Sequence, residues 1–124
     1  MMSVVRGVRG ATTVEQDDAA SIVEATKELI IAMVQANDLQ TEDIASCYIT
    51  VTPDLTAAFP AKAVREVGGW DYVPLMCAVE MNVPGSLTRC IRILLHVNTT
   101  LSQTDIKHTY LRNATVLRPD LVQK

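Results

Sequence analysis

The sequence predicts an α/β (α+β) fold: a mixed β-sheet with its helices packed on one face. Two apolar patterns favour helices, over residues 18–36 and 59–67, and strand-like apolar runs lie before, between and after them. The length of 124 residues and the hydrophobic content of 48% are typical of a compact domain that buries its own core. We therefore expect a single domain over residues 1–124.

The first predicted elements are a strand over residues 3–9 and a helix over residues 18–36. Asp18 can cap this helix because its carboxylate can accept a hydrogen bond from a free amide of the first turn, and Asn37 can end it. Apolar side chains recur at helical spacing along one stripe, formed by Ile22, Ala25, Leu29, Ile30, Met33 and Val34. The stripe predicts which face of the helix packs on the sheet.

The middle of the chain is predicted to form a strand over residues 46–51 and the short helix over residues 59–67. Thr41 can begin a single turn before the strand. Pro60 suits the first turn of the short helix, where an amide hydrogen would have no partner, and Gly68 can end the helix.

The second half of the chain is predicted to be mostly extended. Residues 89–97, RCIRILLHV, carry the strongest strand pattern in the sequence. Further extended segments are predicted over residues 70–75, 76–81 and 115–117, with one helical turn over residues 102–106. A sheet of about five strands leaves exposed edges, which a homo-oligomer would cover.

Charge and cysteine content argue against several classes of function. The formal net charge is −3, the isoelectric point is about 5.2, and the basic residues are scattered, which argues against nucleic-acid binding. Cys47, Cys77 and Cys90 form no CxxC pair, so they predict neither a zinc site nor a redox dithiol. No apolar run reaches membrane-spanning length, and we expect a cytoplasmic protein with reduced thiols and no membrane partner.

Arg92 is an arginine within a strongly apolar strand pattern. It shares one face of the strand over residues 89–97 with Cys90 and His96. Because a guanidinium does not lose its proton, it needs an anion in half-buried surroundings, which is either a carboxylate of the protein or a ligand. Glu80, in the apolar stretch CAVEM, can be that partner or can accept a hydrogen bond from a substrate hydroxyl.

Arg6 and Arg9 lie three residues apart on the first strand, so their side chains point to opposite faces. Arg9 shares its face with small or slim side chains that leave room for a ligand, namely Ser3, Val5 and Gly7. Tyr110 can donate a hydrogen bond to a carboxylate. The face that the short helix turns to solvent is expected to include Lys62 and Arg65.

The sequence contains no phosphate-binding glycine loop, nucleophile elbow or metal-ligand cluster, and neither histidine has a Ser, Cys or Asp at a suggestive spacing. A site rich in cations but without a nucleophile or general base suits two tasks. It can bind an anion, or it can catalyse a reaction that needs only orientation and charge stabilisation. The residues alone leave both open.

Several long strings of the sequence resemble one protein family, in order and in register. RGVRGATTVE, VTPDL, FPAKAVRE, GWDYVP, CIR and LRPDL are similar to the monofunctional, homotrimeric α/β class of chorismate mutase, over about residues 4–121. The resemblance implies a trimeric pseudo-α/β-barrel with active sites between subunits. It also implies the rearrangement of chorismate to prephenate, without a cofactor, in aromatic amino-acid biosynthesis.

The resemblance implies roles for five residues of one subunit. Arg92 would point at the ether oxygen of the substrate, and Glu80 would accept a hydrogen bond from the ring hydroxyl. Arg9 and Tyr110 would bind the side-chain carboxylate. The backbone and thiol of Cys77 would help to position the ring.

A neighbouring subunit and the end of the chain are implied to complete the site. The neighbour would contribute residues of the FPAKAVRE string, namely Phe59, Ala61, Lys62 and Arg65. Leu117 and Arg118 would belong to a mobile tail, from about residue 116, that orders over bound ligand. Two features depart from the family pattern: the turn VPGSL lacks paired glycines, and Met76 is bulkier than the pattern has beside Cys77.

Two other functions are open alternatives. One is a trimer that binds a small carboxylate without catalysis, and the other is a trimeric deaminase that hydrolyses imines. The deaminase would need an activated water, for which Glu80 is the only clear base. A chorismate-depletion assay separates chorismate mutase activity from both alternatives.

Overall fold

The computed structural model describes residues 2–118, which form one five-stranded sheet and two α-helices. In chain order the elements are β1 (Val4–Thr13), α1 (Ala19–Ala36), β2 (Ile44–Val51), α2 (Ala61–Val67), β3 (Leu75–Val79), β4 (Cys90–Thr99) and β5 (Thr109–Tyr110). The sheet order is β3-β2-β4-β1-β5. β4 runs antiparallel to β1 and β2, whereas β3 and β5 run parallel to their neighbours. The predicted mixed sheet with two helices is confirmed.

Both helices contribute to one hydrophobic core on one side of the sheet. The predicted stripe of α1 is buried there, except that Val34 is only partly buried. The core also contains Val64 of α2 and the alternate β4 side chains Ile91, Ile93, Leu95 and Val97. Burial of side chains of this size stabilises the fold by roughly 1.5–3 kcal/mol each, so the alternation along β4 fixes which side of the sheet the helices cover.

Gly10 allows α1 to lie close against β1. A methyl group at this position would contact the sulfur of Met33 and lie 3.0 Å from Leu29 Cδ1. Asp18 fixes the start of α1, because its Oδ1 accepts a hydrogen bond of 2.7 Å from the Ser21 amide. The RGVRG string thus supplies packing against α1 on one side of the sheet and presents Arg9 on the other.

The opposite side of the sheet, called the open face below, is not covered by either α-helix. Tyr48 and Met76 pair across β2 and β3 on this face, and they are 44% and 63% exposed. At one end of the open face, a 3₁₀ turn (Arg112–Val116) buries Ala114 against Ala11 and Tyr110. Among the described residues, this side therefore offers both exposed apolar surface and a packed end.

The prediction of an extended segment over residues 70–75 is wrong for most of its length. Residues 70–73 form a turn in which the Val73 amide donates to the Trp70 carbonyl at 3.0 Å, and β3 begins only at Leu75. Trp70 is 3% exposed. The turn follows from the need to bury this indole, which a straight edge strand would leave in solvent.

The prediction of a last strand over residues 115–117 is also wrong. The position beside β1 is occupied by β5, and the later residues form the 3₁₀ turn Arg112–Val116. Arg112 has a positive φ of 53°, and its Nη1 and the Asn113 amide donate to the carbonyl and hydroxyl of Thr13. These contacts turn the chain away from an extended path.

The described chain ends at Arg118, so the predicted mobile tail lies mostly outside the described residues. Within residues 2–118, neither helix combines the length and the apolar character that a membrane crossing requires.

Candidate active site

Arg92 and Glu80 meet on the open face. Arg92 Nε lies 3.5 Å from Glu80 Oε2, and the two side chains are 31% and 28% exposed. Glu80 follows β3 and Arg92 lies on β4, and β2 separates the two strands. Thr50 on β2 lies between them and donates a hydrogen bond of 2.7 Å to the same oxygen of Glu80. The sequence left two roles open for Glu80, and the structure shows the first: its carboxylate contacts Arg92.

Arg92 and Tyr110 belong to one row of residues across the sheet. Arg92 pairs with Ala11 on β1, and Ala11 pairs with Tyr110 on β5. Paired residues point to the same face, so Arg92 and Tyr110 lie on the open face, two strands and about 10 Å apart. Arg9, two residues before Ala11, points to this face as well.

Two donors of this group have no hydrogen-bond partner among the described residues. They are Tyr110 Oη and Arg92 Nε, and both atoms are buried, although Arg92 Nε keeps its ion-pair contact with Glu80 Oε2 at 3.5 Å. A buried donor without a partner costs about 1–3 kcal/mol, so the Tyr110 hydroxyl is suited to an anionic ligand.

Cys90 is buried on the same face as Arg92. Burial raises the pKa of the Cys90 thiol, although a hydrogen bond with Arg92 and its positive charge act in the opposite direction. The thiol is therefore neutral near pH 7, and the carboxylate that contacts Arg92 is that of Glu80.

Arg6 and Arg9 point to opposite sides of the sheet, as the alternation predicts. Arg9 pairs with Leu94 on the open face, whereas Arg6 pairs with Val97 on the helix side. Arg6 Nε donates a hydrogen bond of 3.1 Å to the Leu101 carbonyl. Arg6 thus holds a loop after β4, and Arg9 is the arginine that faces the Arg92 side of the molecule.

Cys77 lies on the side of the sheet opposite to Arg92. It pairs with Ile49, whose side chain is buried under the helices. Cys77 and Phe59 line a cavity of about 380 Å³ at the edge of the sheet, together with Val51, Leu55, Ala58 and Val79. The neighbouring Met76 points to the open face, so its bulk is directed away from this cavity.

The remaining predicted residues of the FPAKAVRE string lie on or just before α2. The helix begins at Ala61, two residues later than predicted, and Phe59 precedes it with a side chain that is 79% exposed. Lys62 lines a groove between α1 and α2. Arg65 is exposed beside a smaller depression that includes Trp70.

Leu117 and Arg118 lie near the Arg92 side of the sheet. Leu117 packs on the cluster of Ala11, Cys90, Tyr110 and Ala114. The positive charge of Arg118 acts on His108, which in turn accepts a hydrogen bond from the Arg9 amide. Sequence reasoning missed Thr50 and His108, because their partners lie on other strands and no spacing along the chain indicates them.

The sequence-predicted residues thus form two groups. The Arg92 group lies on the open face and consists of Arg9, Glu80, Arg92 and Tyr110. The Phe59 group lies at the β3 edge and along α2, and consists of Phe59, Ala61, Lys62, Arg65 and Cys77.

Comparison with known proteins identifies the family. The sequence model of the family described as chorismate mutase type I matches residues 5–121. The chain belongs to this family. As a type I chorismate mutase it is an isomerase of aromatic amino-acid biosynthesis. The deaminase and the binding-only alternatives are therefore not supported.

Relatives of this chorismate mutase cover nearly its whole length. Chorismate mutase AroH of Bacillus subtilis (strain 168) is 48% identical over 118 residues, which are 95% of this chain and 93% of that protein. Chorismate mutase AroH of Thermus thermophilus is 51% identical over 119 residues, with coverage of 95% and 97%. A solved chorismate mutase of Clostridium thermocellum has a TM-score of 0.87 and 50% identity, over 90% of this chain and 98% of that chain.

Proposed function

We propose that this chorismate mutase converts chorismate to prephenate in clefts between the subunits of a homotrimer. The observation that carries the proposal is the separation of the Arg92 group and the Phe59 group. Arg92 and Cys77 point to opposite sides of one sheet, so they do not face a common ligand within one subunit. A second copy placed against the open face would bring its own Phe59 group to the Arg92 group.

The open face has the properties of a surface that is covered by another subunit. Tyr48 and Met76 expose large apolar side chains there, and the outer edge of β3 has no strand partner among the described residues. Exposed apolar side chains beside an unpaired strand edge favour aggregation unless a specific partner covers them. A closed oligomer is the usual solution.

The reaction needs no nucleophile and no proton transfer. In chorismate one C–O bond breaks while one C–C bond forms within the same molecule, so catalysis consists of holding the compact conformer and stabilising charge. Arg92 would stabilise the negative charge that develops on the ether oxygen. Glu80 would accept a hydrogen bond from the ring hydroxyl through Oε1, because Thr50 and Arg92 already approach Oε2.

The carboxylates of the substrate account for the remaining donors. Arg9 and Tyr110 would bind the side-chain carboxylate, which would satisfy the unpartnered Tyr110 Oη. The Phe59 group of the neighbour would close the opposite wall, and Cys77 belongs with this group because it lines the same cavity as Phe59. Leu117 and Arg118 would close over the ligand beside Arg9. We assign the enzyme to the cytoplasm, where its three free thiols stay reduced.

Mixed oligomers test the proposal. One variant carries Arg92→Ala and the other carries Phe59→Ala with Arg65→Ala, and each alone is expected to be nearly inactive. After the two are unfolded together and refolded at equal concentration, random assortment gives about a quarter of the sites two intact halves, so activity returns to about a quarter of wild type.

The matched control is a mixture of the Arg92→Ala variant and the Arg9→Ala variant, whose substitutions lie in the same half of the site. Because every Arg92 group in this mixture carries one of the two substitutions, its activity should not exceed the average of the two variants assayed alone. No recovery in the test mixture would contradict a site shared between subunits, and recovery in the control would contradict the placement of Arg9 and Arg92 in the same half.

A further inference from the structure

We infer that His108 is a positioning residue: its neutral imidazole accepts the Arg9 amide hydrogen bond and fixes the pairing of β1 with β5. This inference rests on the proposed function, in which Arg9 and Tyr110 bind the side-chain carboxylate of the substrate. His108 itself touches neither substrate nor reacting atoms.

The pairing of β1 with β5 is short and depends on a side chain at its start. Only two pairs form, Gly10 with Thr109 and Ala11 with Tyr110, and the Leu111 amide then donates to the Ala11 carbonyl at 2.9 Å. Before the first pair, His108 Nδ1 accepts the hydrogen bond of the Arg9 amide at 3.0 Å. The imidazole thus replaces a backbone acceptor and extends the pairing to the residue that carries the Arg9 guanidinium.

The chain around His108 is fixed from the helix side. Asn37, at the end of α1, donates from Nδ2 to the Lys107 carbonyl at 2.8 Å and accepts at Oδ1 from the Lys107 amide at 2.7 Å. The same Nδ2 lies 3.1 Å from the Met33 carbonyl of α1. With Lys107 held by Asn37 and Thr109 held by β1, the backbone on both sides of His108 is fixed, and the imidazole is aimed at the Arg9 amide.

The contact requires the neutral ring. Because Nδ1 accepts a hydrogen bond, the neutral ring carries its proton on Nε2. A second proton would enter at Nδ1 and place two N–H donors against each other. Burial lowers the pKa of His108, and the positive charges of Arg9 on β1 and Arg118 after the 3₁₀ turn lower it further. Lys107, the residue before His108, is also positively charged, and its side chain is exposed to solvent.

Three variants of His108 distinguish the effect of losing the hydrogen-bond acceptor from the effect of losing the protonation of the imidazole. His108→Asn keeps an acceptor near the position of Nδ1 and cannot be protonated in this pH range. His108→Gln places its acceptor further out, and His108→Leu has none. The values of kcat and KM for chorismate are measured between pH 5 and 8, with thermal unfolding of each variant as the check on folding.

In the wild type we expect kcat/KM to fall on the acid side with an apparent pKa below 6.5. His108→Asn should keep kcat/KM within about twofold at pH 7.5 and should lose this acid limb. His108→Gln and His108→Leu should lower kcat/KM about tenfold, mainly by raising KM. Without an acceptor for the Arg9 amide, β1 and β5 are held together less firmly, and Arg9 and Tyr110 no longer bind the substrate carboxylate in a fixed geometry. If His108→Leu does not fold, the difference between His108→Gln and His108→Asn decides.

The other histidine provides the matched control. The Nδ1 of His96 lies 2.8 Å from Ser46 Oγ. The His96→Asn variant should keep the fall of kcat/KM on the acid side. An unchanged acid limb in His108→Asn, its loss in His96→Asn, or wild-type kcat/KM in His108→Gln would overturn the inference. Arg92→Ala, assayed in parallel, tests the proposed function separately, because its inactivity does not depend on His108.

Discussion

The hydroxyl of Thr50 donates its hydrogen bond to the same oxygen of Glu80 that faces Arg92 Nε, at 2.7 Å and 3.5 Å respectively. Two groups of the protein thereby approach Oε2, and in the proposed function Oε1 accepts the hydrogen bond of the substrate hydroxyl. Since Thr50 pairs directly with Arg92 across β2 and β4, one residue sets the distance between the acid and the cation.

Replacement of Thr50 by Val tests this arrangement. Valine keeps the shape of the side chain but removes the donor, so the Glu80 carboxylate loses the bond that orients it. We expect kcat to fall about tenfold because the carboxylate is no longer oriented, and the free energy of unfolding to fall by no more than about 1.5–3 kcal/mol, the contribution of a hydrogen bond to a charged group. Thr50→Ser restores the hydroxyl and should restore most of kcat. Equal losses in Thr50→Val and Thr50→Ser would point to packing instead.

Arg92→Ala should reduce kcat by about 10²–10³-fold, the range found when one donor to a developing negative charge is removed. The measurement is the steady-state conversion of chorismate to prephenate, with oligomeric state and thermal unfolding as checks. Because the Arg92 side chain is 31% exposed, its loss should leave the fold intact. A folded variant with wild-type kcat would remove Arg92 from the mechanism.

Arg9→Ala and Arg6→Ala should have opposite consequences, although the two residues lie on one strand. Arg9→Ala removes a proposed carboxylate ligand and should raise KM and lower kcat/KM by at least about tenfold. Arg6→Ala removes the hydrogen bond to the Leu101 carbonyl and should lower the free energy of unfolding by about 1 kcal/mol while kcat/KM is kept. The reverse pattern would mean that the roles of the two faces are exchanged.

Asp17 holds the loop that leads to Phe59, and this contact should make stability depend on pH. Its carboxylate accepts hydrogen bonds from the Thr56 amide, the Thr56 hydroxyl and the Ala57 amide, at 2.9–3.0 Å. These bonds, chiefly that of the Thr56 amide, lower the pKa of Asp17 below its usual value of 3.8. The folded-state pKa is thus below the unfolded one. The stabilisation is complete above about pH 4 to 5 and is lost as the pH falls through the lowered value.

Urea unfolding of the wild type and Asp17→Ala at pH 7 and at pH 2.5 measures this effect. The wild type should be more stable at pH 7, and the difference should shrink at pH 2.5. Glu42→Ala is the control, since Glu42 is an exposed acid in the 3₁₀ turn Thr41–Asp43. A stability difference for Asp17→Ala that is independent of pH would show that the carboxylate charge is not involved.

Local patterns predicted the elements that depend on local physics. Periodicity predicted the stripe of α1 and the alternation of β4, and the carboxylate of Asp18 predicted the cap of α1. Each of these is a property of residues close together in the chain. The predictions that failed were the extended segments over residues 70–73 and 115–117. There the burial of Trp70 and the contacts of Arg112 with Thr13 override the extended preference of the residues themselves.

The sequence by itself determined that Arg6 and Arg9 face opposite ways, that Arg92 needs an anion, and, through its strings, which family the chain resembles. Only the tertiary structure decided that Glu80 is that anion, that Thr50 holds it, and that Cys77 lies with Phe59 on the other side of the sheet. The physical reason is that alternation fixes the face of a residue along its own strand. Which strands become neighbours depends on pairing between distant segments, and the order β3-β2-β4-β1-β5 is what brings these side chains together.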